Sequence, residues 1–363
     1  MFYRVDEIRG TVSIRQLPVF ASRKFVAHEL PHMQVSFIIP LYNCLALTQE
    51  CLRTLQATLP AGLTHEIILV DDGSTDGTRE WLGAIPTPCR AIMNDHNLGF
   101  AATCNRGAAS AQGGTLFFLN NDLVFQSGWF QPMLASVQSP RAGLVGNVQL
   151  NATTGAIDHA GLWFNRKGKP EHTTHISWLA RLTGRQAVPA LTGACFAIQK
   201  SLWRQFGGFD DGFINGGEDV DLCLKVRQSG WRNRVVTRSV VGHHVSQSPG
   251  RKRRDEENSR RLLGRWRAVI AELAARDFCP PCLEVAWEEP RNYPDPRLAR
   301  DAFLYLCRLW PRPTARLTAA TSTAFEIEFC RWSHLLDGGP PPPTSRTLVW
   351  QLFQPYLENP PVI

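Results

Sequence analysis

The chain has 363 residues, 44% of them hydrophobic and 20% charged, with a formal net charge of +7. That length supports one large domain with a sizeable core, or one domain plus an appended segment, and the mixture of apolar and polar stretches excludes a disordered chain. The basic excess suits a diphosphate or an anionic membrane surface, but basic and aromatic residues are not interleaved as on a nucleic-acid-binding surface, so no nucleic-acid partner is expected.

Residues 1–33 show no clear period and read as an N-terminal extension. Residues 35–39 form a continuous apolar run stopped by Pro40, which predicts a buried strand. Residues 47–59 carry apolar positions at helical spacing and end at Pro60-Ala-Gly62. A second apolar run, 66–70, ends in Asp71-Asp72-Gly73, and a helix is expected from 77 to 82. Residues 90–93 read as a third strand, 99–111 as a small-residue helix, and 115–119 as a fourth strand ending in Asn120-Asn121-Asp122. Continuously apolar strands alternating with helices predict an α/β fold with helices on both faces of a parallel sheet. Ligands in such sheets bind beyond the strands' C-terminal ends, which places Asp71, Asp72, Asn97, Asn121 and Asp122 on one rim.

Beyond Ser127 the alternation loosens. Residues 142–150, 190–198 and 235–241 read as strands, and 217–228 as a helix with Glu218, Asp219 and Asp221 at its start, where the dipole favours carboxylates. After Pro249 a basic helix runs from Arg251 to about residue 273, followed by Pro-rich segments that include 338–343. The ten cysteines are irregularly spaced and read as small buried hydrophobes in a reducing compartment. Cys279-Pro-Pro-Cys282 has no second CxxC to complete a zinc site and reads as a turn with two thiols. No apolar run approaches the roughly 20 residues that span a bilayer, and residues 1–33 lack a secretory pattern. The expectation is a cytoplasmic protein, with peripheral contact at the inner face of the membrane through its basic segment.

Each polar cluster carries a chemistry and an ordinary structural alternative. Asp71 and Asp72 can accept hydrogen bonds from a nucleobase or ribose, and the same residues are common in turns and helix caps. Asp122 suits Mg²⁺ or Mn²⁺ shared with phosphate oxygens, or caps a strand end. Gly217-Glu218-Asp219-Val220-Asp221 can supply a base that takes a proton from a sugar hydroxyl, or cap a helix. His243-His244 offers imidazole to a metal or diphosphate, or serves a structural role. The basic segment can hold a diphosphate or an anionic acceptor, or be a solvated helix face.

In order and spacing these segments resemble family 2 glycosyltransferases of the GT-A fold. The resemblance runs through Phe37-Ile-Ile-Pro-Leu-Tyr-Asn43, Val70-Asp-Asp-Gly-Ser-Thr-Asp-Gly77, Asn97-Leu-Gly-Phe-Ala-Ala-Thr-Cys-Asn-Arg-Gly107 and Phe118-Leu-Asn-Asn-Asp122. It continues through Thr192-Gly-Ala-Cys195 and Gly217-Glu-Asp-Val-Asp-Leu-Cys223 to His243 and Ser248. The Asn97 segment with Asn120-Asn121-Asp122 is most similar to the branch containing bacterial rhamnosyltransferases and related surface-polysaccharide enzymes.

The resemblance implies a Rossmann-like, mixed but mostly parallel sheet over 34–250, with a mainly helical, Pro-rich extension over 251–363. It implies that Pro40, Asn43, Asp71 and Asp72 line a nucleoside pocket, while Asn97, Gly99, Phe100, Asn105, Asn121 and Gly193 shape the donor site. Asp122 would hold the divalent cation, assisted by His243. Asp219 would be the catalytic base, with Glu218 on acceptor or donor hydroxyls. The implied reaction is inverting transfer from a nucleoside-diphosphate sugar to a glycan or lipid-linked acceptor. One departure bears on the metal: the family's motif is often Asp-x-Asp, and Asn120 stands at the first position. A non-catalytic module that binds a nucleotide-sugar or glycan is the alternative. A nucleotidyltransferase would want a Gly-rich phosphate loop after the first strand, where Pro40-Leu-Tyr-Asn43 stands instead.

Overall fold

The computed structural model describes residues 35–244, 254–288, 293 and 295–339, together with the backbone of 6–8 and 11–13. Ser248, Arg251, Lys252, Arg253 and the Pro-rich run from Pro340 lie outside the described residues. The chain divides into two compact units, 1–33 and 34–363. In the first, β1 (Asp6–Ile8) and β2 (Thr11–Ser13) pair antiparallel.

The second unit opens with the expected alternation: β3 (Val35–Leu41), α1 (Leu45–Thr58), β4 (His65–Asp71), α2 (Thr78–Leu82), β5 (Cys89–Met93), α3 (Phe100–Ser110) and β6 (Thr115–Leu119). β3 is buried along its whole length, which is why its sequence is apolar without alternation. Successive residues still serve different cores. Phe37, Ile39, Leu69 and Phe117 pack with α1 and α4 (Phe130–Val137) on one face. Ile38, Ile68, Val70 and Phe118 pack with α3 on the other.

Between β6 and the C-terminal helices come β7 (Leu123–Phe125), β8 (Ala142–Asn151), β9 (Ile157–His159), β10 (Leu162–Phe164), β11 (Pro170–His172), α5 (Trp178–Thr183), β12 (Arg185–Ala187), β13 (Cys195–Gln199), α6 (Lys200–Phe206), α7 (Glu218–Gln228) and β14 (Arg232–His243). The ten-stranded sheet has the order β12-β14-β8-β13-β6-β3-β4-β5, with β7 on β14 and β9 on β8. β6, β3, β4 and β5 are mutually parallel, and β14 is parallel to β8. β13 runs antiparallel to both its neighbours. From β3 the chain moves outward through β4 to β5, then crosses back to add β6 on β3's other side. The strand order therefore reverses between β3 and β6, which opens a crevice at their C-terminal ends.

Three helices follow: α8 (Asp255–Glu288), α9 (Pro296–Leu306) and α10 (Ala315–Asp337). α8 runs past the expected end near residue 273 and takes Pro280 and Pro281 into its interior. The reading of Cys279-Pro-Pro-Cys282 as a turn is thereby corrected. Proline in a helix removes a hydrogen bond, but here Phe278, Cys279, Pro281 and Cys282 are buried against the other two helices. Tertiary packing outweighs local propensity at this point. Among the described residues the arginines of α8 are largely committed to carboxylates: Arg260 to Asp337, Arg261 and Arg265 to Asp210, and Arg267 to Glu326. All ten cysteines are free and most are buried. No helix among the described residues is long and apolar enough to cross a membrane.

Candidate active site

A cleft of about 290 Å³ lies at the switch between β3 and β6. β3 contributes Pro40, Leu41 and Tyr42, and the turn after β6 contributes Asn120, Asn121 and Asp122. The antiparallel pairing of β13 with β6 extends to a hydrogen bond from the Asn120 N–H to the Ala194 carbonyl, 2.8 Å. That bond draws Thr192, Gly193 and Ala194 into the lining. The starts of α3 and α7 complete it with Asn97, Phe100, Asn215, Gly216, Glu218 and Asp219.

Asp219 is held by backbone donors. Its Oδ2 accepts the Gly193 N–H at 2.7 Å, and its Oδ1 accepts the Val220 N–H at 2.7 Å. It stands in the first turn of α7, where the helix dipole favours an anion. Glu218 is buried and accepts the Gly216 N–H at 2.9 Å, so it turns back onto the loop that enters the helix. Gly217 caps the helix with φ 93°, a left-handed conformation that glycine adopts at little cost. Asp221, the third acid of this motif, is not in the cleft. It is fully buried and binds Arg265 and Trp266 of α8, each at 2.8 Å, and Lys225 at 2.7 Å.

Asp122 and His243 lie 121 positions apart and are brought together by the sheet. β7 pairs with β14 so that Leu123 faces His243, and the His244 N–H donates to the Asp122 carbonyl at 3.0 Å. Asp122 Oδ1 is 3.3 Å from His243 Nε2, within ion-pair reach but out of hydrogen-bond alignment. Asp122 Oδ1 and both His243 ring nitrogens are therefore buried without a hydrogen bond, as is Asn120 Oδ1. Buried polar atoms in this state are costly unless something binds them. One carboxylate oxygen and one imidazole nitrogen are donors that Mn²⁺ or Mg²⁺ accepts. Among the described residues no group of three or more His, Cys, Asp or Glu side chains is arranged around a metal position.

The remaining sequence-derived candidates divide into two groups. Pro40, Asp72, Asn97, Phe100, Asn121 and Gly193 line the cleft. Asn43, Asp71, Gly99 and Asn105 act behind it. Asn43 accepts the Thr75 N–H and donates its own N–H to Ser74, both at 2.7 Å, which ties the loop after β3 to the loop after β4. Asp71 accepts from the Gly73 and Ser74 N–H groups and pairs with Arg79 at 3.2 Å. Asn105 holds the backbone of Phe209 through both ends of its amide, at 2.9 and 3.0 Å. Gly99 donates to Asp72 Oδ2 at 3.0 Å, and Asp72 Oδ1 also accepts from Leu98 and Asn94 at 2.8 Å each. Asp72 thus shapes the 97–99 loop from within.

The sequence reading did not single out Tyr42, Thr192 or Asn215 as site residues. Asn215 adopts φ 55° and accepts the Phe100 N–H at 3.3 Å, joining the entries of α3 and α7. The run Asn215-Gly216-Gly217 is a turn signal that marks this loop, but nothing in it points across to Phe100.

A mixed, mostly parallel sheet with helices on both faces, a crevice at the β3/β6 switch and carboxylates on its rim is the GT-A architecture. Residues 36–204 match the glycosyl transferase family 2 model. The chain is similar to the uncharacterized protein y4gI of Sinorhizobium fredii, at 30% identity over 239 residues, covering 61% of this chain and 26% of that protein. It is similar to the O-antigen biosynthesis protein RfbC of Myxococcus xanthus, at 27% identity, covering 59% of this chain and 18% of that one. The chain thus spans about a quarter or less of the length of these two relatives. In fold it resembles GalNAc-T7, solved with UDP, GalNAc and Mn²⁺, with TM-score 0.56, 18% identity, and 74% of this chain and 53% of that one covered. It also resembles residues 1–349 of S. aureus TarS in complex with UDP-GlcNAc, with TM-score 0.54, 14% identity, and 85% and 93% covered.

Proposed function

We propose that this chain is an inverting glycosyltransferase. It moves a sugar from a nucleoside-diphosphate sugar to a hydroxyl of a glycan or lipid-linked acceptor, in bacterial surface-polysaccharide synthesis. The observation that carries the reading is the convergence on one crevice of Asp219, at the start of α7, and Asp122, after β6, with buried His243 of β14 standing behind Asp122.

In this reading Asp219 takes the proton of the acceptor hydroxyl as that oxygen attacks the anomeric carbon. The nucleoside diphosphate leaves from the opposite side, so the configuration inverts in one step without a covalent enzyme intermediate. Glu218 binds sugar hydroxyls. Pro40 and Asp72 border the nucleoside, with Asn43 and Asp71 fixing the loops that do so. Asn97, Phe100, Asn121 and Gly193 border the donor, with Gly99 and Asn105 behind them. Asp122 and His243 would hold Mg²⁺ or Mn²⁺, which when bound neutralises charge on the departing diphosphate. Two fold neighbours were solved with UDP or UDP-GlcNAc, which supports a nucleotide-sugar donor. Residues 34–250 carry the chemistry, and 251–363 buttress it through α8.

The test is release of nucleoside diphosphate across a donor panel, with and without Mg²⁺ or Mn²⁺. Asp219→Asn is expected to lower turnover by about 10²–10⁴-fold while donor affinity changes little. Near-normal turnover in that variant overturns the base assignment. Tight donor binding with no release from any donor makes the chain a non-catalytic binding module instead.

A further inference from the structure

One edge of the sheet carries a surface that the transfer reading does not use. α5 packs on the edge strand β12 and accepts a hydrogen bond from Thr237 of its neighbour β14, with Ala180 as its buried residue. Its apolar side chains point the other way: Trp178 is 73% exposed, Leu182 67% and Leu179 54%. A soluble surface helix normally turns such residues inward.

Arginines lie on α5 itself and along the strands beside it, with Arg238 reaching the Leu182 carbonyl. Arg181 belongs to α5, Arg185 to β12, and Arg232, Arg234 and Arg238 to β14. Pairing of Arg185 with Val236, and of Ala187 with Arg234, gathers them on one edge. Burial lowers the pKa of the Arg234 guanidinium, and the charges of Arg185 and Arg232 lower it further. Among the described residues none of these five arginines has an ion pair. Their hydrogen-bond acceptors are neutral: the Ile176 carbonyl for Arg181, Ser139 and the Pro140 carbonyl for Arg234, and the Leu182 carbonyl for Arg238. The contrast with α8, whose arginines are paired with carboxylates, is direct.

We propose that this edge docks on an anionic lipid bilayer, with Trp178, Leu179 and Leu182 entering the headgroup layer and the five arginines meeting lipid phosphates. Tryptophan and leucine beside unpaired arginine is the chemistry of an interfacial anchor. A second copy of the chain fits less well, because a two-fold contact would set the arginine cluster against itself. A soluble polyanion would satisfy the arginines but leave Leu179 and Leu182 in water. Arg238 and His243 share one strand, five residues apart, so the surface lies within about 17 Å along β14 of the candidate metal pair. Docking through this surface needs no transfer activity.

The experiment is sedimentation of the full chain with vesicles of phosphatidylcholine alone or of equimolar phosphatidylcholine and phosphatidylglycerol. Binding is expected to the anionic vesicles only, and to weaken with salt. The double variant Trp178→Ala, Leu182→Ala should lose more than about tenfold in affinity. Arg181→Ala and Arg185→Ala should each lose about fivefold. Arg254→Ala, just before α8, and Arg267→Ala, on α8, should bind as the native chain does. Absence of vesicle binding, or native binding by the double variant, overturns the proposal. So does a lipid-free dimer that the double variant abolishes, which would make this edge an interface between copies.

Discussion

Asp219 has its two oxygens on two backbone N–H groups from different elements, Gly193 before β13 and Val220 within α7. Its position therefore depends on the spacing of those elements, and Gly193 controls that spacing. A Cβ at residue 193 would sit 3.1 Å from the Phe100 ring and 3.5 Å from the Asp219 Cβ. The ring is only half-buried and can yield, so Gly193→Ala should fold with a stability loss of about 1 kcal/mol. Relief of the Phe100 contact by the backbone at 193 would instead move the Gly193 N–H that holds Asp219 by a few tenths of an ångström. If Asp219 is the base, turnover should fall by up to about 10²-fold with donor affinity nearly unchanged. Steady-state kinetics beside donor titration checks this, and loss confined to affinity would place Gly193 in donor binding alone. At this scale the sequence was partly legible. The strand-end and helix-start rule points to Asp122 and to the 218–221 acids as a group, whereas the choice of Asp219 among them comes from the resemblance, and Asp221 is buried away from the crevice. The partners of Asn43 and Asn105 lie 31 to 104 positions away, and no local pattern reveals them.

Between elements, the joint that matters most is the one between α7 and α8. Asp221 is fully buried, and one of its oxygens accepts from both Arg265 and the Trp266 indole. α8 adds Leu262, Leu263, Trp266 and Ile270 to the core that α7 shares with the sheet. The helix carrying Asp219 is thus braced from behind by α8, and both helices lie beyond the family match. Asp221→Asn keeps the shape but removes the charge that two cations and an indole address. It should lower stability by about 2 kcal/mol, read as a shift in urea midpoint with unchanged slope. An unchanged midpoint would show that α8 docks through its apolar face alone. The helices of the first half were legible because each buries a face of fixed period, and the strands because they are apolar without a break. The antiparallel course of β13 and the pairing of β7 with β14 were not, since long-range strand pairing leaves no local trace. That pairing brings His243 to Asp122. α8 defeated the local reading for a related reason: its two prolines signal a stop, and only contacts from α9 and α10 override them.

Over the second unit as a whole, apolar burial falls into three clusters: one on each face of the sheet, and a smaller one among α8, α9 and α10. Asp277 lies where α8 leaves the large core for the small one, next to Phe278 and Cys279. Burial pushes its carboxyl up to about 6, with Arg166 opposing the shift and Glu171 of β11 adding to it. A carboxyl with a raised folded pKa binds its proton more tightly in the native state than in the unfolded chain. Its contribution to stability is therefore fully present below the unfolded value of 3.8 and is lost as pH rises through about 6. Above that range the native state holds a half-buried anion. Asp277→Asn removes the ionisation at similar volume and should raise the melting temperature at pH 8. Solvent reaches the group, so screening limits the gain to about 1 kcal/mol, or a few degrees. The advantage should shrink steadily between pH 6 and pH 4, where native Asp277 takes up its proton. Melting curves of the two proteins across that range decide the matter. An offset that does not vary with pH would trace the effect to packing of the amide and leave the charge at Asp277 without a role in stability.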